Sequence, residues 1–550
     1  MSSAEVQSPP LSDFVPGTVH LVDLDRTLNT RHAQNGRQDI VLVPIPSDDP
    51  DDPLNWSSWR KTLLLSCLCV YCLSVGIASA AIYSVLVPIS IATGLTVGDL
   101  NAGTGYMFLT LGWGCLIWQP LAQKFGKRPV YLLSLLGTTA MMIWAPHARN
   151  NGQWIANKIL QGLFGAPIES LCEISISDTY FAHERGTYMG FYALFIAGSN
   201  FLAPVMSGFI SDGQGWQWVL HWCAIFNGVA FVILLFCMEE TNYLRTTNLA
   251  PVDDQADIPN EPPKITSDGE KADKCQVAAS SDIGNGSVRP SKKTYFDKVK
   301  IFRRRYVLDN VPYKGMVTRP FLYFSLPAVV FSGFMYGSVI CYFNVLNATA
   351  SVIMSAPPYS FSPSIVGLCY MSCVIGVCLG MYYSGPLGDK LVLWKARRNN
   401  GMMEPEYRLW LFVAPTFAVP GALLLWGVGT AHQVHWVGLL FAMGMLGASI
   451  TVGCQLSISY CIDCYTDLGA DAIVTLILIR NTMSFAVSYG VTPWVINMGY
   501  QNAFIVAAFV AMAQMAVALL FIKYGKQLRI ASIGRYWKYL QQVKEDGLLH

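Results

Sequence analysis

Charge is what this chain has least of. Only 13% of its 550 residues are Asp, Glu, Lys or Arg, against about 25% in a soluble protein. A soluble fold of this length would need more charge to cover its surface. With 53% hydrophobic residues and a mean hydropathy of +0.38, the deficit excludes an ordinary soluble enzyme and points to a chain embedded in a bilayer. Neither sign dominates: a net charge of +2 provides no bulk field for nucleic acid. No nucleic-acid motif and no metal-ligand cluster stands in the sequence. Cysteine is not scarce, at 15 residues, but fourteen of them lie in or beside apolar runs, and only Cys275 sits in a polar segment. Cys67, Cys69 and Cys72 share one apolar stretch, where cysteine acts as a small hydrophobe. Cys461-x-x-Cys464 has no second pair and no neighbouring histidine, so a structural role is expected rather than zinc or redox chemistry. The N-terminus is polar and acidic for about 60 residues, without a charged-then-apolar start, so no cleavable signal peptide is expected.

What is abundant is long apolar runs. About 20 such residues cross a bilayer as a helix, and twelve runs qualify: near 62–90, 102–122, 129–147, 154–177, 187–211 and 217–238, then 320–345, 364–387, 409–430, 435–460, 472–496 and 502–523. The expected organisation is an N-terminal tail (1–60), a six-helix bundle (61–239), a polar and largely disordered linker (240–318), a second six-helix bundle (319–524) and a C-terminal tail (525–550). Lys and Arg set the orientation. With the N-terminus in the cytoplasm, the outside loops carry only Arg149. Lys124, Lys127, Arg128, Arg185, Lys390, Lys395, Arg397, Arg398, Lys523, Lys526 and Arg529 all fall inside. Both tails and the linker are therefore expected to be cytoplasmic. Gln119-Pro-Leu-Ala-Gln-Lys124 ends the second span and Gly385-Pro-Leu-Gly-Asp-Lys390 ends the eighth, as in two halves related by an axis along the membrane normal.

Together these features resemble the major facilitator superfamily. Gly126, Lys127 and Arg128 match the end of its loop between spans two and three, although Gln119 and Gln123 replace the usual glycine and aspartate; the second copy keeps Gly385 and Asp389. Ala203, Pro204 and Gly208 resemble its antiporter motif, and Lys158-x-x-Gln161-Gly162 its span-four motif. Asp52-Pro53-Leu54-Asn55-Trp56, Gly215-Trp216-Gln217-Trp218 and Glu240-Thr241 resemble marks of the fungal twelve-span drug:proton antiporters. Within that subfamily the nearest resemblance is to the yeast histidinol and polyamine permease group. It is carried by Ala166-Pro167-Ile168-Glu169, Ser177-Asp178, His183-Glu184-Arg185-Gly186, Tyr460-Cys461-Ile462-Asp463-Cys464-Tyr465, Arg480-Asn481 and Pro493-Trp494. The resemblance implies an all-α membrane protein of two pseudo-symmetric six-helix bundles, a small-molecule solute, no cofactor, and drive from the proton gradient.

Ionisable groups inside a bilayer cost about 3 kcal/mol or more unless paired, so each needs a reason. Span four holds the densest set, with Glu169 near the midplane and Glu173 one turn deeper, on one helix face. Two carboxylates in a low dielectric repel each other, so one should hold a proton. They are the expected proton-coupling and substrate residues; a salt bridge to a neighbouring span is the structural alternative. Arg480, in span eleven, could pair with Glu173, Asp463 or Asp178 as an inner gate, or simply snorkel. Asp178 and Arg185 flank the turn after span four, where a gate or loop-fixing role is expected rather than substrate contact. Asp389 could cap a helix or pair with a basic loop residue, locking one half against the other, as the resemblance implies. Lys124, Lys127 and Arg128, deprived of the loop aspartate, must find other partners or anionic lipid. Candidate cavity residues are Tyr83, Tyr106, Tyr192, Asn200, Tyr336, Tyr342, Asn344, Gln455 and Tyr489, tyrosine offering a π face to a cation. His221 is expected to be structural. The run Lys292 to Tyr306 could form an amphipathic helix on anionic inner-leaflet lipid. Asn347-Ala-Thr349 is a glycosylation sequon close to a span end.

The expected function is proton-coupled transport of a small organic solute by alternating access, with protonation of Glu169, alone or shared with Glu173, coupled to the switch. Efflux of a drug, toxin or secondary metabolite leads; uptake of polyamines or other organic cations is second; a non-transporting nutrient sensor is the rival of another class. A membrane enzyme is disfavoured by the lack of a nucleophile–base pair. The expected site of action is the plasma membrane, with an endomembrane such as the vacuole as the alternative, and the expected form is a monomer.

Overall fold

The computed structural model describes residues 16–17, 19–20, 52–243, 313–399, 402–465 and 468–545. Most of the linker, including Lys292 to Tyr306, lies outside them. Among the described residues, ten helices are long and apolar enough to cross a membrane. One of these, Gly469–Glu545, is two helices joined at Gly499, whose φ of 75° breaks the helical path. Val97–Phe125 stands among them as a further 29-residue helix, polar enough at Asn101, Thr104 and Gln119 to lower its hydropathy. Twelve spans in two halves result.

Several boundaries move. Span one is Ser58–Ala80, followed by a turn and a short helix, Leu86–Thr93. Span seven begins at Pro327 and runs on to Ser355, which corrects the expectation for Asn347. That residue sits inside the helix, 2% exposed, and accepts a hydrogen bond from the Tyr370 hydroxyl at 3.1 Å. It is a packing residue out of reach of glycosylation. Span eight is built in pieces, Pro363–Cys369, Met371–Tyr382, a π-helical turn Tyr383–Leu387, and Gly388–Arg398. The last helix does not end near 524 but continues to Glu545, so most of the expected C-terminal tail is an ordered helix. It is held by a bidentate Arg529–Glu406 pair at 2.8 and 2.7 Å and by Tyr536 stacked on Tyr465.

Span four is broken where Pro167 lacks an N–H to give. Its two pieces are Asn151–Gly165 and Pro167–Thr179. The Leu163 carbonyl, which an ordinary residue at 167 would engage, accepts instead from the Trp118 indole at 2.7 Å. The break starts a new helical segment in mid-membrane and puts Glu169 in its first turn, where the helix dipole favours negative charge.

At the face away from the linker, residues of both halves merge into one apolar cluster: Tyr83, Leu86, Leu100 and Phe201 from the first, Tyr342, Leu346, Tyr370 and Leu446 from the second. At the linker face two clusters form, one in each half, and Val474, Ile477 and Leu478 of span eleven pack with the first. The halves are thus sealed together at the far face. Spans five and eight meet there without side chains between them: a Cβ on Gly208 would fall 2.2 Å from the Pro363 carbonyl oxygen, and one on Gly367 would fall 2.4 Å from that of Pro204. The contact is reciprocal, Pro204-x-x-x-Gly208 against Pro363-x-x-x-Gly367, small residues letting two backbones touch.

The linker face is held by charge. Gly126 turns between spans two and three with a φ of 106°, and Glu240 lies against it, accepting from the backbone N–H groups of Lys127 and Arg128 at 3.0 Å each. Glu240 is therefore a helix cap supplied from across the bundle. Replacing Glu240 by alanine is expected to lower stability by about 1–2 kcal/mol, with glutamine in between, read from thermal unfolding of the purified protein in detergent. Asp52 caps the turn Pro53–Asn55 through the Leu54 N–H at 3.0 Å, and Arg60 lies over the buried Trp56, 4.4 Å from its ring centre. The N-terminal segment reaches the opposite half. Val19–His20 pairs antiparallel with Met402–Met403, and the Pro16 carbonyl accepts from Arg529 at 2.6 Å.

Candidate functional site

Between the halves, the guanidinium of Arg480 meets the carboxylate of Glu169 at 2.6 Å, with both side chains largely buried (7% and 13% exposed). Arg480 also donates to the Tyr336 hydroxyl at 3.0 Å, lies over that ring at 4.9 Å, and donates to the Asn481 side-chain oxygen at 3.0 Å. One arginine thus ties span four of the first half to spans seven and eleven of the second. This corrects the expected pairing of Arg480 with Glu173, Asp463 or Asp178: the break at Pro167 sets Glu169 toward span eleven, and the arginine takes it.

Glu173 lies one turn away, close enough to feel both Glu169 and Arg480 electrostatically, and it makes no hydrogen bond or ion pair among the described residues. Cys115, Cys454 and Tyr192 share this charged neighbourhood. Tyr192 donates its hydroxyl to the Ile168 carbonyl at 3.0 Å.

The other charged candidates fall into two groups, each within one half. Asp178 pairs with Lys127, and Arg128 donates to the Leu235 carbonyl at 2.6 Å. In the second half Arg408 pairs with Asp463 at 2.7 Å and with Asp389 at 3.6 Å. Asp389 accordingly braces its own half and does not lock one half against the other, because Arg408 opens span nine beside it. Lys124 rests near the Phe125 ring at 5.8 Å. Arg185 lies in the helix Ala182–Gln214, with its side chain outside the described residues.

The polar cavity candidates scatter. Tyr83 is buried in the far-face cluster. Tyr106 packs with Phe485 and Tyr489 where spans two and eleven touch, and Tyr489 is exposed. Asn200 donates to the Ile196 carbonyl of its own helix at 3.0 Å. Tyr342 donates to Gln514 at 2.6 Å. Gln455 accepts from Ser384 at 2.5 Å. Asn344 is buried, and its amide nitrogen has no partner among the described residues. Ala203, Pro204 and Gly208 form the far-face contact with span eight. His221 packs edge-on to Trp218. Cys461 and Cys464 are buried free thiols, and no group of metal-binding side chains occurs among the described residues. Three contributors escaped the sequence reading: Arg408, the Glu406–Arg529 pair, and the second Pro-x-x-x-Gly at Pro363. The last was detectable, since it repeats the spacing of Pro204 and Gly208.

Comparison with known proteins fits this architecture. The Major Facilitator Superfamily profile matches residues 64–460. An uncharacterized MFS-type transporter of Schizosaccharomyces pombe is 28% identical, with 96% of this chain and 94% of that protein covered. Protein HOL1 of Saccharomyces cerevisiae is 26% identical over 98% of both chains. Efflux pump FUBT of Fusarium oxysporum is 25% identical, covering 88% of this chain and 76% of that one. Among solved structures, a D-xylose-proton symporter superposes with a TM-score of 0.53 at 12% identity, covering 84% of this chain and 97% of the other, a likeness of fold. With its two six-helix halves and a profile match across most of its length, the chain belongs to the major facilitator superfamily and is a multi-pass membrane transporter.

Proposed function

We propose that the protein is a proton-coupled carrier of a cationic or amphipathic organic solute, working by alternating access with the linker face in the cytoplasm. The observation that carries this reading is the Glu169–Arg480 pair across the two halves, with Glu173 one turn away and unpaired among the described residues. A carboxylate without a partner in a low dielectric takes a proton. Glu173 holds the coupled proton, and Glu169 holds Arg480. A cation entering from the linker face competes with Arg480 for the two carboxylates and displaces the proton; release of Arg480 frees span eleven from span four. The group that binds the solute is therefore the group that holds the halves together, which is what coupling requires.

Efflux of a drug, toxin or metabolite is the leading direction, supported by the likeness to a protein named as an efflux pump. Uptake of polyamines or other organic cations is the second reading, favoured by the paired acids and the resemblance carried by Tyr460 to Tyr465. The plasma membrane is the proposed site.

The test is proton flux in proteoliposomes challenged with spermidine and with a lipophilic cationic drug. Wild type is expected to move protons with one of them. Glu173→Gln is expected to exchange solute while losing at least about tenfold of the solute-driven proton flux. Unchanged coupled flux in the mutant refutes the role of Glu173, and absence of flux with both cations in the wild type refutes the cationic solute.

A further inference from the structure

At the linker face, the end of span eight and the start of span nine enclose a cleft of about 580 Å³, lined by Leu391, Trp394, Lys395, Arg398, Tyr407 and Trp410, with Asn399 at its edge. Its lining combines basic and aromatic side chains. Lys395 lies 3.7 Å above the Trp410 ring, and Arg398 lies 4.0 Å above Trp394. Neither cation, nor the neighbouring Arg397, pairs with a carboxylate among the described residues. The nearest acids are committed elsewhere: Glu404 to Lys526 at 2.5 Å, and Asp389 to Arg408. Both cations meet aromatic rings in place of acids.

The cleft is also continuous with an apolar surface. Trp410, Val413 and Phe417 are all exposed, and so is Leu424. Spaced by three, four and seven residues, they form one stripe running from the cleft along span nine into the hydrocarbon. Exposed tryptophans at a span end mark the interface between headgroups and acyl chains. A basic pocket at headgroup level that opens onto an apolar stripe matches a molecule with an anionic head and a hydrocarbon tail. A soluble anion would use the first feature and leave the second without purpose.

We propose that this cleft is a binding site for an anionic phospholipid of the linker-side leaflet. The phosphate and acidic headgroup sit against Lys395 and Arg398, the tryptophan rings flank the glycerol, and one acyl chain lies along Trp410, Val413 and Phe417. Because the cleft is formed by the last helical piece of span eight and the turn that starts span nine, an occupant staples these two spans together beside the Arg408 cluster.

The test is native mass spectrometry of the full chain in detergent, titrated with phosphatidylserine or with phosphatidylcholine of the same acyl chains. Wild type is expected to prefer phosphatidylserine by on the order of tenfold. The Lys395→Gln/Arg398→Gln double variant is expected to bind both lipids alike, while Arg397→Gln, outside the lining, keeps the preference. Lys395→Arg, which keeps the charge, is expected to keep it too and covers the case in which the double variant fails to fold. Equal binding of the two lipids by wild type overturns the proposal, as does an unchanged preference in the double variant. Displacement of phosphatidylserine by inorganic phosphate would assign the pocket to a soluble anion and overturn the lipid.

Discussion

Exchange of Arg480 for glutamine is expected to reduce solute transport in proteoliposomes by about a hundredfold and to lower the melting temperature at the same time. The arginine makes four contacts from one buried position: Glu169, the Tyr336 hydroxyl and ring, and Asn481. Removing one partner of a buried pair leaves the other charge unpaired, at a cost of about 3–5 kcal/mol, and about 3 kcal/mol is roughly a hundredfold in an equilibrium constant. Loss of fold and loss of coupling separate in the double variant. Glu169→Gln/Arg480→Gln removes both charges, so its melting temperature should return toward that of wild type, while coupled transport stays absent. A double variant that regains transport would show the pair to be a strut without a part in coupling. Lysine at 480 is expected to restore little, since a single ammonium cannot serve Glu169, Tyr336 and Asn481 in the fixed geometry of a guanidinium.

The second large effect is expected at the far face. Valine at Gly208 would place its Cβ 2.2 Å from the Pro363 carbonyl oxygen and 3.0 Å from the Ser364 Cα. These are backbone atoms, which cannot swing aside, so the helices must part. Overpacking of this kind costs about 1–3 kcal/mol, charged almost wholly to the state in which spans five and eight touch. The population should move toward conformers open at that face, by about tenfold or more. Cys369, buried two residues beyond Gly367 in the far-face cluster, is a built-in reporter. Its labelling by a membrane-impermeant maleimide, followed by peptide mass spectrometry, should accelerate by that factor. Gly367→Val, on the reciprocal side, should do the same. Unchanged labelling in both variants would mean that the contact is not what closes this face.

Span number and pairing into halves were legible because a bilayer imposes length and apolarity on every crossing element. The one helix that falls short of the apolar threshold, Val97–Phe125, does so through Asn101, Thr104 and Gln119, and a reading by runs of apolar residues still finds it. The two glutamates of span four were equally legible, because carboxylates at that depth are rare. The partner of Glu169 was not. Position along the chain left Arg480 open to Glu173, Asp463 or Asp178, and only the break at Pro167, with Leu163 handed to Trp118, sets the new segment so that its first-turn acid meets span eleven. Pro167 stood in the sequence, but its effect on direction depends on which neighbour receives the freed carbonyl. The partners of Asp178, Asp389 and Asp463 were hidden for a related reason: charge spacing along the chain does not say whether a partner lies in the same half, and Arg408, which pairs with two of them, opens a span that otherwise looks apolar. Asn347 misled because the apolar run was ended at Val345, whereas the helix continues through polar residues that pack against span eight.

The contact between Pro16 and Arg529 joins positions 513 residues apart, and it orders assembly in time. Synthesis runs from the N-terminus, so Pro16 emerges before any span and must wait for its partner until the last helix is complete. The same holds, over a shorter interval, for Val19–His20 and its strand partner Met402–Met403. Chain closure over such a distance costs only logarithmically more than over a short one, and the inserted bundles already hold Arg529 and Met403 in place. The N-terminal segment therefore docks last although it is made first, and a chain cut short before residue 529 lacks the arginine on which Pro16 comes to rest.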